Sequence, residues 1–317
     1  MDHMTQVVID TDPGVDDAFA IALAAASPEL NLLGVTTVFG NVDLAQTTRN
    51  ALRVLGLCGK PDVPVAAGAD RPLIHPKQWR ESTAHGTDGL SGKAGTLTDR
   101  ARGTAPDDAV TLLVRLLRES PEPVTIIAIG PLTNIALLLA AHPGARDKIA
   151  RLVIMGGGVA GGNVTPSAEF NLWSDPEAAR RVLVEESLPT VLVPLDVTRQ
   201  CAVDQAWLAA LSGSGPLGAT LVGLTAEYQA HYRRSLGWDG MVLHDAVAVV
   251  AAIAPDLLHR KAFPVDVDCT FGPARGALLV DQRAAAVVPD RPQRTVEIAL
   301  GAEVDAVRQL ILRRLSG

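Results

Sequence analysis

The chain has 317 residues, of which 48% are hydrophobic and 20% are charged, and its formal net charge at pH 7 is −7. This length allows one or two domains with a large buried core, and the acidic balance argues against a nucleic-acid-binding surface. The three cysteines, Cys58, Cys201 and Cys269, form no CxxC pair, which argues against a disulfide framework or a zinc knuckle.

The first residues contain no basic region followed by an apolar one. No run of the sequence approaches the ~18 apolar residues that a membrane-spanning helix needs. We therefore expect a cytoplasmic protein that acts on a small molecule and binds neither membranes nor nucleic acid.

Apolar runs of strand length alternate with helical runs through the first two thirds of the chain. The predicted strands are residues 7–10, 32–39, 63–67, 124–129, 152–155 and 191–194. The predicted helices begin at Asp16, near Asp43, at about Asp107, at Pro131 and at Asp175. This alternation predicts the α/β class, with an open, mostly parallel Rossmann-like sheet flanked by helices.

Other segments depart from this alternation. Residues 68–106, which include His85, are too long for a simple connector and predict a lid or binding loop. Residues 204–234 predict a helical excursion, followed by a turn at 237–240 and a helix that begins at His244. Residues 263–269 and 277–280 predict a small C-terminal hairpin, and residues 302–315 predict a closing amphipathic helix. Because no repeat or low-complexity linker occurs, we expect one domain over residues 1–317.

Four carboxylates, Asp10, Asp12, Asp16 and Asp17, lie at the end of the first predicted strand. The Pro-Gly pair between them predicts a tight turn that brings the second two into the first turn of a helix, where negative charge complements the helix dipole. Asp-rich turns often only cap helices, but capping uses one or two carboxylates, and the others would repel each other without a cation. With no Cys or His nearby in sequence, the motif favours Ca²⁺ or Mg²⁺ over Zn²⁺.

Three later strands also end in polar or glycine-rich segments, at residues 39–41, 129–134 and 155–158. Each segment alone is ordinary turn chemistry. Ligands of open α/β sheets bind beyond the carboxyl ends of the strands, so the segments together predict one binding rim. The triple glycine at 156–158 lacks the GxGxxG spacing of a dinucleotide site.

Five motifs occur in order: DTDPGVDD at residues 10–17, GPLTN at 130–134, MGGG at 155–158, NVTP with EFN at 163–171, and His-Asp at 244–245. Together they resemble the inosine-uridine preferring nucleoside hydrolase family. The resemblance implies Ca²⁺-dependent hydrolysis of the N-glycosidic bond of ribonucleosides to ribose and free base, in nucleoside catabolism and purine or pyrimidine salvage. It also implies a homodimer or homotetramer.

The resemblance implies a role for each matching residue. The metal ligands it implies are Asp12, Asp17, Asp245 and the main-chain carbonyl of Ile129. The ribose contacts it implies are Asp16, Asn41, Met155, Asn163, Glu169 and Asn171. Asp12 is the expected base that activates water, and His244 the expected leaving-group residue. We expect Asp10 to orient the neighbouring site residues without itself contacting the metal or the substrate.

The base-binding side is predicted in less detail. His85, in the predicted binding loop, is a candidate substrate contact. Tyr228 and Tyr232 share one helix face and are candidate contacts to the base, with core packing as the alternative. Near Leu236 the resemblance implies a polar or basic side chain in members that accept both purines and pyrimidines, and the match of residues 233–236 to that position is open. The sequence therefore decides neither the preferred base nor the tolerance of deoxyribose.

Two other classes match part of the pattern. An Asp-x-Asp after the first strand also occurs in Mg²⁺-dependent phosphatases that form an aspartyl-phosphate, and Asp10 would then be the nucleophile. A non-catalytic nucleoside-binding or Ca²⁺-binding protein would need a similar polar rim. The phosphatase hypothesis leaves Asp16, Asp17 and the Asn/Glu set unexplained, which favours nucleoside hydrolysis.

Overall fold

The computed structural model describes residues 4–75, 84–98, 103–283 and 294–317. Its strands are β1 (Thr5–Thr11), β2 (Leu30–Thr37), β3 (Val65–Ala67), β4 (Val124–Ala128), β5 (Ile149–Met155), β6 (Thr190–Val193), β7 (Val203–Asp204), β8 (Gly240–Met241), β9 (Leu258–Val267), β10 (Leu278–Val280) and β11 (Thr295–Ala302). Among the described helices, none is long and apolar enough to cross a membrane.

The α-helices surround this framework. They are α1 (Val15–Ala26), α2 (Leu44–Leu57), α3 (Ala109–Glu119), α4 (Thr133–Ala141), α5 (Phe170–Ser174), α6 (Pro176–Arg180), α7 (Leu195–Thr198), α8 (Gln205–Ser212), α9 (Pro216–Gly223), α10 (Ala226–Leu236), α11 (His244–Ile253) and α12 (Val304–Leu315). Short 3₁₀ turns lie at Ala94–Thr96, Pro143–Lys148 and Pro255–Leu257, and a π turn at Arg181–Glu185 continues α6.

The central sheet has nine strands in the order β10-β9-β11-β6-β5-β4-β1-β2-β3, and β7 pairs with β8 in a separate two-stranded sheet. Neighbours from β11 to β3 are parallel, whereas β9 is antiparallel to both β11 and β10. The predicted α/β class, the parallel sheet and the C-terminal hairpin are confirmed.

The parallel strands were predictable because their side chains are buried on both faces. Val7 and Ile9 of β1 pack into the core on one face, with α1 and α11, while Val8 packs into the core on the other, with α3 and α4. All five residues of β4 are buried. A strand of this kind is a continuous apolar run in the sequence.

Aspartates cap several helices close to their predicted starts. Asp43 accepts a hydrogen bond from Gln46 N at 2.8 Å, Asp108 from Thr111 N at 2.8 Å, and Asp175 from Ala178 N at 3.1 Å. Each bond satisfies a backbone N–H that the first helical turn leaves without a partner. The excursion over residues 204–234 is helical as predicted, since it forms α8, α9 and α10.

Two expectations differ from the structure in detail. No strand was predicted over residues 295–302, yet β11 forms there and joins the hairpin to β6. The helix predicted from Pro131 begins at Thr133 instead, after a non-helical turn. Of the lid predicted over 68–106, residues 76–83 and 99–102 lie outside the described residues.

The strand order reverses between β1 and β4. From β1 the chain proceeds outward to β2 and β3, and it then returns to place β4, β5 and β6 on the other side. Such a reversal opens a crevice beyond the carboxyl ends of the two central strands, which is where open α/β sheets bind ligands. The Asp-rich turn follows β1, and Ile129 follows β4.

Candidate functional site

A pocket of about 250 Å³ lies at this crevice. The predicted site residues that line it are Asp12, Asp16, Asn41, His85, Ile129, Met155, Asn163, Glu169, Asn171, Tyr228, Tyr232, His244 and Asp245. Asp10 and Asp17 do not line the pocket, and both are buried beside it. Residues that are far apart in the sequence are therefore brought together at one rim.

Asp10 is fully buried behind the pocket. One of its carboxylate oxygens accepts hydrogen bonds from Thr36 Oγ1 at 2.6 Å and Asn134 Nδ2 at 2.8 Å, and the other has no partner among the described groups. Burial raises the pKa of Asp10 to about 7, against the lowering effect of these two bonds. A carboxylate so enclosed cannot attack a substrate, which disfavours the phosphatase hypothesis.

Asp12 lies just beyond β1 and is held by the loop that follows β2. Its Oδ2 accepts the backbone N–H of Asn41 at 2.7 Å, and Asn41 Nδ2 donates to Asp12 O at 3.2 Å. The carboxylate leaves no room beside it, because a Cβ at Gly40 would lie 2.0 Å from Oδ2 and one at Gly130 2.8 Å from Oδ1. The glycines after β2 and β4 therefore give the carboxylate its space.

Asp16, Asp17 and Asp245 form the tightest acidic cluster of the described chain. One carboxylate oxygen from each lies within 4.8 Å of the other two, and all three side chains are buried. Asp17 is fixed further by the backbone N–H of Gly14 at 2.9 Å and by the hydroxyl of Thr11. Three oxygen donors at this separation are a suitable donor set for a hard divalent cation.

The electrostatics of the cluster support the same conclusion. Burial is the main cause that raises the pKa of Asp12, Asp16 and Asp245 well above the ordinary value, and the charges of neighbouring aspartates raise it further. For Asp245 these neighbours are Asp16, Asp17 and Asp12. No Lys or Arg side chain pairs with the cluster among the described ion pairs. The donor set therefore fits a bound divalent cation that compensates the shared negative charge.

Ile129 lines the same pocket, and its carbonyl has one described partner. It accepts a hydrogen bond from Asn171 Nδ2 at 3.0 Å, and the same amide lies 3.2 Å from Met155 O. Because a carbonyl oxygen has two lone pairs, the Ile129 oxygen retains acceptor capacity for a ligand. Asn171 thus ties the ends of β4 and β5 to the start of α5.

Glu169 caps α5 where this helix meets the pocket. Its carboxylate accepts the backbone N–H groups of Asn171 at 2.9 Å, Gly157 at 2.9 Å and Leu172 at 3.2 Å. Burial raises its pKa to about 7, although these bonds act in the opposite direction. Asn163 Oδ1 accepts the N–H of Phe170 at 3.0 Å, so both side chains have fixed positions.

His85 joins the long loop to the N-terminus of α1. Its Nδ1 accepts the backbone N–H of Val15 at 3.0 Å, which places the ring proton of the neutral imidazole on Nε2. Burial and the nearby His231 lower its pKa to about 3. The ring stacks on Tyr228, with 4.7 Å between centroids.

Tyr228, Tyr232 and His244 are connected by hydrogen bonds. Tyr228 Oη donates to Asp16 Oδ2 at 3.2 Å, and Tyr232 Oη lies 2.9 Å from His244 Nε2. Burial lowers the pKa of His244 to about 3, and the charge of Arg199 acts in the same direction. The tyrosines therefore face the pocket and do not merely fill the core.

Four residues of the pocket lining were not anticipated: Ala84, Val164, Phe170 and His231. The spacing between Tyr228 and His231 is three residues, which also places two side chains on one helix face, and this signal was available in the sequence. Phe170 lies between two predicted ribose contacts. Ala84 and Val164 carry no chemical signal that sequence reasoning could use.

Comparisons with known proteins agree with this geometry. The family model described as inosine-uridine preferring nucleoside hydrolase matches residues 7–309. The pyrimidine-specific ribonucleoside hydrolase RihA of Salmonella gallinarum is 37% identical over 299 residues, which are 94% of each chain. The non-specific ribonucleoside hydrolase RihC of Salmonella schwarzengrund is 39% identical over 305 residues, 96% of this chain and 95% of the relative.

Solved structures show the same architecture. The plant nucleoside hydrolase PpNRh1 superposes with a TM-score of 0.93 at 32% identity and covers 99% of both chains. The purine-preferring ribonucleoside hydrolase from Gardnerella vaginalis has a TM-score of 0.89 at 30% identity, with 99% of this chain and 98% of that chain covered. These matches set aside the phosphatase and the non-catalytic alternatives. The chain belongs to the inosine-uridine preferring nucleoside hydrolase family, and it is an enzyme that hydrolyses the N-glycosidic bond of nucleosides.

Proposed function

We propose that this ribonucleoside hydrolase depends on one Ca²⁺ ion held by the carboxylates of Asp12, Asp17 and Asp245 and by the carbonyl of Ile129. The observation that carries the proposal is the set of buried, mutually repelling carboxylates beside the pocket. Asp17 and Asp245 belong to the cluster whose oxygens lie within 4.8 Å of one another, and the charge of Asp12 acts on Asp245. Asp16, the third member of that cluster, is assigned to the ribose hydroxyls, and no Lys or Arg side chain is paired with these carboxylates among the described ion pairs. When bound, Ca²⁺ would supply positive charge that favours ionisation of the attacking water and attracts the ribose hydroxyls.

Asp12 is the proposed general base. It lies at the rim of the pocket, and the backbone N–H of Asn41 holds one oxygen of its carboxylate at 2.7 Å. The other oxygen remains available to take a proton from water. A base fixed in this way needs no reorientation before it acts, which lowers the entropic cost of the reaction.

The sugar is proposed to bind against Asp16, Asn41, Met155, Asn163, Glu169 and Asn171. Carboxylates and amides together offer both acceptors and donors, which suits the hydroxyls of ribose. Cleavage of the glycosidic bond builds positive charge on the ribose ring. The buried carboxylates around the pocket would stabilise that charge, because a low-dielectric site strengthens their field.

The nucleobase of the substrate is proposed to leave toward four side chains, His85, Tyr228, Tyr232 and His244. A departing base carries negative charge unless a hydrogen-bond donor assists it, and the hydroxyl and imidazole groups here are such donors. The relatives are named for pyrimidine, purine or non-specific substrates, so the comparisons favour no single base. We further propose that the protein is cytoplasmic and assembles as a homodimer or homotetramer. Light scattering of the purified protein measures the molar mass of the assembly and tests the second part.

The deciding experiment removes and restores the metal. Ribose release from inosine, adenosine, uridine and cytidine is measured after extensive dialysis against EGTA, and again after addition of Ca²⁺, Mg²⁺ or Zn²⁺. The proposal predicts loss of activity and its recovery with Ca²⁺. Full activity in protein shown by elemental analysis to be free of metal, or recovery with Zn²⁺ alone, would contradict it.

A further inference from the structure

A buried hydroxyl lies against His244 on the side that does not face Tyr232. Thr198 is fully buried at the end of α7, which follows β6 at the same edge of the sheet as the pocket. Its Oγ1 lies 2.7 Å from His244 Nδ1, while the other ring nitrogen, Nε2, lies 2.9 Å from Tyr232 Oη. His244 and Tyr232 line the pocket and Thr198 does not, so Thr198 can act only through the histidine.

The direction of the Thr198 hydrogen bond follows from its possible partners. The hydroxyl has one proton to donate, and the two acceptors within reach are His244 Nδ1 at 2.7 Å and Leu195 O at 3.3 Å. Leu195 O already accepts the backbone N–H of Arg199 at 3.0 Å. The contact with Nδ1 is the shorter of the two and Leu195 O already has a donor. Both observations favour donation of the threonine proton to Nδ1 over donation from an Nδ1–H to the threonine oxygen.

This direction fixes where the imidazole carries its own proton. A neutral imidazole has one N–H and one lone pair. If Nδ1 accepts from Thr198, the N–H lies on Nε2 and is donated to Tyr232 Oη. The hydroxyl proton of Tyr232 is then not taken by His244.

Tyr232 therefore has a proton to offer elsewhere. Its remaining neighbour in the network is Tyr228 Oη at 3.4 Å, a long and weak contact. Tyr228 itself has acceptors in Asp16 Oδ2 and Val242 O, each at 3.2 Å, and does not need the proton of Tyr232. Since Tyr232 lines the pocket, a bound base is the better acceptor.

We propose that Thr198 is a positioning residue that holds His244 as the Nε2–H tautomer, so that the hydroxyl of Tyr232 is free to donate a hydrogen bond to the departing base. The inference rests on the proposed function, in which these residues face the leaving group. In the opposite tautomer, Nε2 would accept the Tyr232 proton and withdraw it from the substrate. In the proposed arrangement Tyr232 gives the departing base a hydrogen bond and keeps its own proton. No covalent bond within the network therefore forms or breaks during the reaction, and the released base takes up its proton from solvent.

The tautomer can be observed directly in the intact enzyme. Protein labelled with ¹⁵N-histidine is studied by NMR in the presence of Ca²⁺, and the His244 ring signals are assigned by their loss in His244→Gln. The expected result is a protonated Nε2 and an unprotonated Nδ1 that accepts a hydrogen bond. An Nδ1–H tautomer, or a ring protonated at both nitrogens, overturns the assignment.

Two variants test the kinetic consequence. Thr198→Val keeps the shape and removes the hydroxyl, and it should lower kcat for inosine and uridine by roughly tenfold or more, the effect of one lost buried hydrogen bond. The kcat for p-nitrophenyl riboside, whose leaving group is a stable anion, should change by less than about threefold. Thr198→Ser keeps a hydroxyl at this position and should retain the wild-type kcat for inosine and for uridine.

Thr190→Val is the matched control, because it removes a buried hydroxyl at the opposite end of β6, where Thr190 Oγ1 donates to Leu188 O at 2.9 Å. It should slow no substrate selectively. Equal losses on all three substrates in Thr198→Val, or no rescue by serine, overturn the inference. Two results separate this inference from the proposed function. An Nδ1–H tautomer of His244 in the NMR experiment overturns the role of Thr198 alone. Equal losses of kcat on all three substrates in His244→Ala overturn the leaving-group role of His244 itself.

Discussion

The side-chain amide of Asn171 donates a hydrogen bond to the main-chain carbonyl of Ile129 at 3.0 Å. This contact joins α5, which carries proposed sugar contacts, to the end of β4, which precedes the proposed Ca²⁺ ligand Ile129. One amide therefore connects the two halves of the proposed site.

Replacing this amide should weaken substrate binding. Asn171→Leu preserves the approximate volume, but it removes the amide that donates to the Ile129 and Met155 carbonyls and with it a proposed sugar contact. A cost of about 1–3 kcal/mol corresponds to a KM for inosine or uridine that rises by roughly 5- to 150-fold. Asn31→Leu is the control, since Asn31 is exposed, does not line the pocket, and donates from Nδ2 to Gln6 Oε1 at 2.7 Å. An unchanged KM in Asn171→Leu would remove this residue from the sugar site.

Removing one carboxylate should have opposite effects on stability and on activity. In metal-free protein, Asp245→Asn relieves repulsion from Asp12, Asp16 and Asp17, and it should raise the free energy of unfolding by about 1–3 kcal/mol. The same variant should lose ribose release. Denaturant unfolding in EGTA compares the two proteins, and a variant less stable than the metal-free wild type contradicts the repulsion argument.

Calcium should reverse that order of stability. A ligand that binds only the folded state at 1,000 times its Kd stabilises the protein by about 4 kcal/mol. We therefore expect Ca²⁺ to raise the Tm of the wild type markedly and to leave the Tm of Asp245→Asn nearly unchanged. Differential scanning calorimetry with and without Ca²⁺ measures both, and equal shifts would show binding elsewhere.

Asp12→Asn tests the proposed base. The amide cannot take a proton from water, so kcat should fall by roughly 10² to 10⁴, and further if the metal is lost as well. Metal content by elemental analysis distinguishes the two causes. Activity within about threefold of wild type would assign the base to another group.

His244→Ala tests assistance to the leaving group. Inosine and uridine, whose bases leave poorly, should slow by roughly 10² or more, whereas p-nitrophenyl riboside should be nearly unaffected. Steady-state kcat values for the three substrates give the answer. Equal losses would show that His244 supports the metal site through the neighbouring Asp245, and no loss would leave it without a role in the reaction.

The parallel half of the fold was predictable because β1, β4 and β5 are apolar runs between helical segments. Strand β11 was missed because Glu297 and Gly301 interrupt its apolar character, and its place between β6 and β9 depends on long-range pairing. Local sequence signals do not encode such pairing, so the hairpin was predicted but not the strand that attaches it.

The candidate site was predictable where motifs follow strands, as at Asp12 and Asn41, because the carboxyl ends of parallel strands meet at one edge. Thr198 was not predictable, since its contact with His244 joins residues 46 positions apart through buried side chains. Asp10 and Asp12 are two residues apart, a spacing that on a continuous strand directs both side chains to one face. In the structure β1 ends at Thr11, so Asp12 turns to Asn41 while Asp10 bonds Thr36 and Asn134.

The position of the bound ion tests the central proposal most directly. A crystal structure of the Ca²⁺-loaded enzyme, with the ion located by anomalous scattering, should show one Ca²⁺ per chain. Its ligands should be oxygens of Asp12, Asp17, Asp245 and the Ile129 carbonyl, at about 2.3–2.6 Å. A fully loaded crystal with the ion away from these carboxylates, or with Asp16 in the place of Asp12 among the ligands, would contradict the proposed site.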